Sequence, residues 1–230
     1  MKILFAPSEA KRIGGENVQM RFCFAIDRDE ILQKYDALTK SWDEATLAKL
    51  YGTKERYDID IFASPTLKAV RRYTGVAYEY LDYDALHFTA QEFIDEHLVI
   101  FSNLFGPLCA GDLIPFYKLK QGSHVGDIKP EKYYHKRCKN LLDDQEILDL
   151  RAGYYEKFYK PHFCIKMKFL KNGKVVSHWA KAYRGMVLRQ IAENQIASFK
   201  ELRDFAFEGL ELVEIQSKKN EEIWVMEAKN

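Results

Sequence analysis

Two short clusters combine residue types that can hold an anion. Pro7-Ser8-Glu9-Ala10-Lys11-Arg12 puts a hydroxyl and two cations where an apolar strand, Ile3 to Ala6, runs into a loop. Lys181-Ala182-Tyr183-Arg184-Gly185 puts two cations where a lysine-rich hairpin meets a helix. Hydroxyl and cationic donors suit a phosphate, and free backbone N–H groups at a helix start would add to them. Loop solvation beside a helix start accounts for both clusters equally well. Rings interleave with cations in Tyr133-Tyr134-His135-Lys136-Arg137 and in Tyr154-Tyr155-Glu156-Lys157-Phe158-Tyr159-Lys160. That composition suits phosphate contact plus base stacking, and it equally describes half-buried sheet tyrosines. Tyr117, Lys118, Lys120 and Arg189 complete the set of candidate anion contacts.

Other chemistry has little to build on. The sequence has no Gly-x-Ser-x-Gly elbow, Walker loop, Gly-x-Gly-x-x-Gly or His-Glu-x-x-His. Its histidines, His87, His97, His124, His135, His162 and His178, form no i, i+3 or i, i+4 pair. Ser123-His124 and Ser177-His178 are adjacent in sequence, which says nothing of a nucleophile facing a base. Cys23, Cys109, Cys138 and Cys164 show neither Cys-x-x-Cys nor histidines at zinc-finger spacing, so reduced cytoplasmic thiols are expected. No catalytic residue is assigned, and neither a metal nor a cofactor is expected.

The elements that must carry these clusters follow from periodicity. Asp29 to Leu38 has helical spacing, Ser41-x-x-Glu44 reads as a capping box opening a helix through Leu50, and Gly52 marks its end. Ser64-Pro65 precedes an expected helix over Thr66 to Tyr73, which Gly75 stops. Thr89-x-x-Glu92 reads as a second capping box, followed by Leu98-Val99-Ile100-Phe101, an interior strand. Phe163, Ile165, Met167 and Phe169 alternate with Cys164, Lys166 and Lys168. Asn172-Gly173 then supplies a hairpin turn, and Val175 to Trp179 returns. A helix is expected from about Arg184 to Asn194, another from the Ser198-x-x-Glu201 box to Gly209, and a terminal hairpin over Leu210 to Ile215 and Ile223 to Met226. With no repeat or flexible linker, the expectation is an α+β fold. It is a single mixed domain over residues 1–230, with a central sheet, flanking helices and a C-terminal hairpin.

Charge is near balance overall, 35 basic against 34 acidic residues, which excludes a uniform polycation. By segment it is polarised. Residues 73–117 hold seven acids and no Lys or Arg, residues 118–139 hold seven cations against two acids, and residues 157–192 hold nine cations and no acid. Such blocks form a polyanion-binding face, or else solvated faces that neutralise one another. An aromatic content of 14% and 47% hydrophobic residues supply a packed core and exclude general disorder. The apolar stretches are too short or interrupted for a signal peptide or a membrane span. A cytoplasmic protein is expected, with a monomer favoured.

In chain order, five motifs resemble the peroxide stress protein YaaA family. They are Pro7-Ser8-Glu9-Ala10-Lys11, Tyr73-Thr74-Gly75-Val76-Ala77-Tyr78, His97 through Gly122, Lys181-Ala182-Tyr183-Arg184-Gly185, and Phe205-x-x-Glu208-Gly209. The resemblance implies a cytosolic role in limiting peroxide damage and unincorporated iron. It also implies binding of double-stranded or distorted DNA at a basic cleft with a helix-hairpin-helix-like element. Departures occur at Cys109-Ala110, where Arg-Pro is expected, at Lys118 and Lys120, and over Asp149 to Tyr155, where a polar family segment survives only as Leu150 and Tyr155. The region from Lys129 to Lys160 is shorter than in the family. The candidate DNA or anion contacts are Ser8, Lys11, Arg12, Tyr117, Lys118, Lys120, Lys181, Arg184 and Arg189. The alternative is an enzyme or small-ligand protein with a nucleotide-like anion among Ser8, Lys11, Tyr117, Lys181 and Arg184. A binding module for a protein partner is a third class.

Overall fold

The computed structural model describes residues 1–176 and 179–229. Among these the chain runs β1 (Lys2–Phe5), α1 (Asp29–Lys40), α2 (Glu44–Tyr51), β2 (Thr66–Lys68), α3 (Ala69–Arg72), α4 (Val76–Leu81), α5 (Phe88–His97) and β3 (Leu98–Ser102). It continues through β4 (Gly106–Cys109), β5 (Leu113–Pro115), α6 (Pro130–Arg137), β6 (Ile147–Asp149), β7 (Cys164–Lys171) and β8 (Lys174–Val175). It ends with α7 (Trp179–Glu193), α8 (Phe199–Asp204), β9 (Leu210–Lys218) and β10 (Glu221–Ala228).

Ile3, Leu4 and Phe5 have no polar alternation, so β1 must be covered on both faces. It lies between β3 and β6, parallel to both: Ile3 pairs with Leu98 on one side and with Leu148 on the other. The full order is β4-β3-β1-β6-β7-β10-β9, with β8 on β7. The strands from β3 to β10 are parallel, and antiparallel β4 and β9 close the ends. The mixed α and β fold with a central sheet, flanking helices and a C-terminal hairpin is therefore as expected. No helix among the described residues is long and apolar enough to cross a membrane.

Several local expectations need correction. Thr66 to Lys68 is a strand, paired with β5 in a separate two-stranded sheet, and only Ala69–Arg72 is helical. Tertiary pairing overrides the helix-start signal of Ser64-Pro65. Ser41 does not cap α2: its hydroxyl donates to Leu38 O at the end of α1, and Asp43 accepts from Thr46 N instead. α5 begins at Phe88 without a side-chain cap, so Thr89 opens nothing. Ser198 does cap α8, accepting from Glu201 N, but that helix stops at Asp204. The return strand after Asn172-Gly173 is only Lys174–Val175, and Ser177-His178 falls outside the described residues. The helix that follows starts at Trp179, so Lys181 and Arg184 both sit inside it.

Between β1 and α1 a long irregular segment crosses the surface. Two buried arginines hold it through carbonyl oxygens, the backbone's free acceptors. Arg72 donates to Arg12, Gly14, Pro65 and Ile114, and Arg28 to Phe24, Ile26, Phe105 and Pro107. A Cys23–Cys109 disulfide ties the same segment to β4. That corrects the expectation of four reduced thiols; only Cys138 and Cys164 are free, and both are buried.

The second close constraint is a helix crossing. Gly185 of α7 lies against α4, and a Cβ there would come within 2.2 Å of the Ala77 carbonyl oxygen. A side chain at 185 would push the helices apart. Gly185→Ala is expected to cost about 1–3 kcal/mol, the usual range for overpacking, read as a lower denaturant midpoint.

Candidate anion-binding cleft

β1 ends at Phe5 and β6 at Asp149, and the chain leaves these parallel neighbours at their carboxyl ends. Because β3 and β6 flank β1 on opposite sides, this is the place where an open parallel sheet offers a crevice. A cleft of 530 Å³ occupies it. Ser8 and Glu9 come from the exit of β1, Gly75 and Tyr78 from the entrance of α4, Leu150 and Tyr155 from beyond β6, and Lys181 and Arg184 from α7. Gln121 completes the rim, its N–H donating to Glu9 Oε1.

The cleft therefore gathers Ser8, Lys181 and Arg184, residues far apart in sequence. Lys181 is exposed and Arg184 half-buried, three residues apart on one helix and so on adjacent turns of one face. Neither makes an ion pair within 4.0 Å among the described residues. Burial pulls the Arg184 pKa down, opposed by the charges of Asp149 and Glu156. Gly75, at φ 98°, brings the loop so close to Ser8 that a Cβ would lie 3.0 Å from Ser8 Oγ.

Lys11 and Tyr117 stand behind this wall, outside the lining. Lys11 Nζ donates to Ser8 O at 3.0 Å and to Glu9 O at 3.3 Å, and lies 4.2 Å from the centre of the Tyr117 ring. Burial, with the nearby Lys118 charge adding to it, pushes the Lys11 pKa down to about 7. Tyr117 is buried, its hydroxyl within 2.9 Å of both Tyr73 Oη and Ser102 Oγ and donating to Asn103 Oδ1 at 3.2 Å. These residues pack against the Ser8 turn and are not among the residues that line the cleft.

The remaining candidates lie elsewhere. Arg12 pairs with Asp84 at 3.4 Å and lines a neighbouring depression. Arg189 is held by Asp82 and Glu193. Lys118 leans over the Tyr57 ring, and Lys120 packs over Gly52. Lys129, Lys132, Lys136 and Arg137 line another depression together with Glu30 and Asp127. The basic blocks thus do not converge on one cleft, and part of the acidic stretch is neutralised by Arg12, Lys68, Arg71 and Arg189. The tyrosine clusters are mainly packing. Tyr134 is buried and donates to Leu104 O, Tyr155 is buried, and Arg137 stacks 3.5 Å from the Tyr133 ring centre. Asp149, where the family's polar segment is altered, forms a buried ion pair with Arg151 at 2.7 Å. Tyr78, Tyr155 and Gln121 line the cleft without being among the candidate contacts; each lies in a segment compared with the family, and Tyr155 also lies in a ring-and-cation cluster, but none is marked there as a site residue.

Comparison with known proteins adds to this geometry. A family profile described as "Peroxide stress protein YaaA" matches residues 1–216. An uncharacterised protein of Campylobacter jejuni is 43% identical over 244 residues, covering 99% of both chains. A UPF0246 protein of Shewanella oneidensis is 31% identical over 89% of this chain and 90% of its own, and one of Finegoldia magna 25% identical over 98% of each.

Two outcomes follow. Tyr117→Phe takes a partner from Tyr73 Oη, Ser102 Oγ and Asn103 Oδ1, of which Ser102 Oγ keeps the Leu104 and Phe105 N–H groups, and should cost about 1–3 kcal/mol, measured by chemical denaturation. Between about pH 7 and the ordinary lysine value of 10.5, the unfolded chain keeps a proton on Lys11 that the folded chain has released. That difference makes stability rise with pH across the window, and in Lys11→Met the rise should disappear from a pH series of denaturation curves.

Proposed function

The chain belongs to the peroxide stress protein YaaA family, and from that premise we propose three things about its work in the cytoplasm. It acts against hydrogen peroxide, it limits the damage done by unincorporated iron, and it binds double-stranded or distorted DNA at the cleft between Ser8 and α7. The iron-limiting role and the location rest on the family resemblance. The observation that carries the DNA reading is the pairing of Lys181 and Arg184 on one face of α7, without carboxylate partners among the described residues, opposite the Ser8 hydroxyl. Cations without carboxylate partners are available to phosphates, which fix register without reading sequence.

The size of the cleft sharpens the reading. A volume of 530 Å³ admits one nucleotide and not a duplex. Duplex DNA is held by its phosphates at the mouth, and in distorted DNA an unstacked nucleotide enters, over the apolar floor of Leu150 and Tyr155. The confinement of cations in the cleft to Lys181 and Arg184 favours one second reading, a free nucleotide-like anion in the same place.

Fluorescence anisotropy over a salt series decides between them, using a plain duplex, a duplex with one extrahelical nucleotide, and a mononucleotide. Two phosphate contacts predict a slope of about −2 for log affinity against log salt. Lys181→Ala should reduce it by about one. Binding of the mononucleotide alone selects the second reading, and no binding of any ligand at low salt refutes both.

A further inference from the structure

The thiols of this protein fall into two groups. Cys138 and Cys164 are buried, and burial pushes both pKa values up to about 12, which makes them poor nucleophiles. Cys23 is exposed on the irregular segment and Cys109 half-buried at the end of β4, and these two are bonded across a separation of 86 residues. Beneath them Asp112 is buried. Its Oδ1 accepts from Cys23 N at 2.9 Å, its Oδ2 accepts from Cys109 N at 3.0 Å, and Oδ2 lies 3.6 Å from Cys23 Sγ. One carboxyl group thus holds both cysteine backbones in register, so the sulfurs remain neighbours when the bond between them is broken. A bond between an exposed and a half-buried cysteine on a carboxyl-tethered frame has the geometry of a centre that cycles, and exposed disulfides are the labile ones.

We propose that Cys23 and Cys109 form a reversible redox centre oxidised directly by hydrogen peroxide, with Asp112 as the positioning residue. In the reduced protein the Cys23 sulfur attacks one oxygen of the peroxide and the O–O bond breaks. The departing oxygen takes up the thiol proton as water, leaving Cys23 as a sulfenic acid. The Cys109 sulfur then attacks Cys23 Sγ; the S–O bond breaks, and the hydroxyl leaves with the Cys109 proton as a second water. Two thiols and one hydrogen peroxide become one disulfide and two waters. A dithiol reductant reverses the state by exchange, becoming a disulfide itself as both cysteines regain protons. The centre operates whatever the cleft binds.

The test starts from full-length protein reduced with dithiothreitol and freed of it. One equivalent of hydrogen peroxide is added, followed by N-ethylmaleimide and peptide mass spectrometry. The expected result is loss of two thiols per peroxide, both at Cys23 and Cys109, with full recovery of both after renewed dithiothreitol on the folded protein. Cys109→Ser should accumulate a Cys23 sulfenic acid that dimedone traps, and Cys23→Ser should consume peroxide at least tenfold more slowly. Asp112→Asn, which keeps an acceptor, should form the disulfide faster than Asp112→Ala. Cys23 and Cys109 remaining alkylatable after ten equivalents of peroxide would overturn the proposal, and so would a disulfide that resists dithiothreitol until the protein is unfolded. Both readouts use the wild-type chain, so they hold even if a variant fails to fold.

Discussion

A single buried hydroxyl organises the region behind the cleft. Tyr117 has no access to water, so its oxygen must find partners within the protein, and it finds them in Tyr73, Ser102 and Asn103. The partners come from two further stretches of chain, Tyr73 from the end of α3 and Ser102-Asn103 from the end of β3 and the turn after it. Lys11, from the exit of β1, rests over the same ring. Satisfying one polar group thereby fixes four stretches of chain relative to one another, and the Ser8 turn takes its shape from the result. A buried network of this kind is sensitive to substitution, because losing a member removes a hydrogen bond from each group it touches in a medium of low dielectric.

Charge is distributed by a different logic. Among the described residues the acidic stretch is paired mostly with cations from outside the basic blocks, Asp84 with Arg12 and Arg71 and Asp95 with Lys68, and meets a basic block where Asp82 pairs with Arg189. Exposed pairs of this kind contribute little to stability. Their effect is to cancel local field, and what they leave uncancelled is informative. Lys181 and Arg184 are withheld from that pairing and turned toward a cleft, and this is why the cleft has a positive wall in a protein with a formal charge of +1.

The features legible in the sequence were those set by local pattern. Leu98 to Phe101 announced an interior strand because all its side chains are apolar, and Ser198 announced a helix start because its cap is made within three residues. Thr66 to Lys68 is a strand that local pattern does not reveal, because its partner, Leu113 to Pro115, lies far along the chain and a Ser-Pro dipeptide argues locally for a helix. Ser41 illustrates the same point at smaller scale: its hydroxyl serves the helix before it and not the one after. Ser8, Lys181 and Arg184 were visible as candidates from residue type alone, but their meeting depends on Gly185 letting α7 approach α4, which no spacing reveals. The Cys23–Cys109 bond was invisible for the same reason, being made by the fold and not by proximity in the chain.

The parallel placement of β1 has a consequence in time. Its two neighbours contribute Leu98 and Leu148, so the first strand to emerge from a ribosome must wait for more than half of the chain before its second edge is covered. Contacts this distant in sequence make for slow closure, and an uncovered apolar strand is a ready partner for other chains in the interval. The nascent protein is thus most exposed to misassembly between the synthesis of β3 and that of β6. Residues 103–146, made in that interval, hold seven cations and six acids, so the nascent chain has little net charge to keep copies apart at the stage when an open sheet edge most needs it.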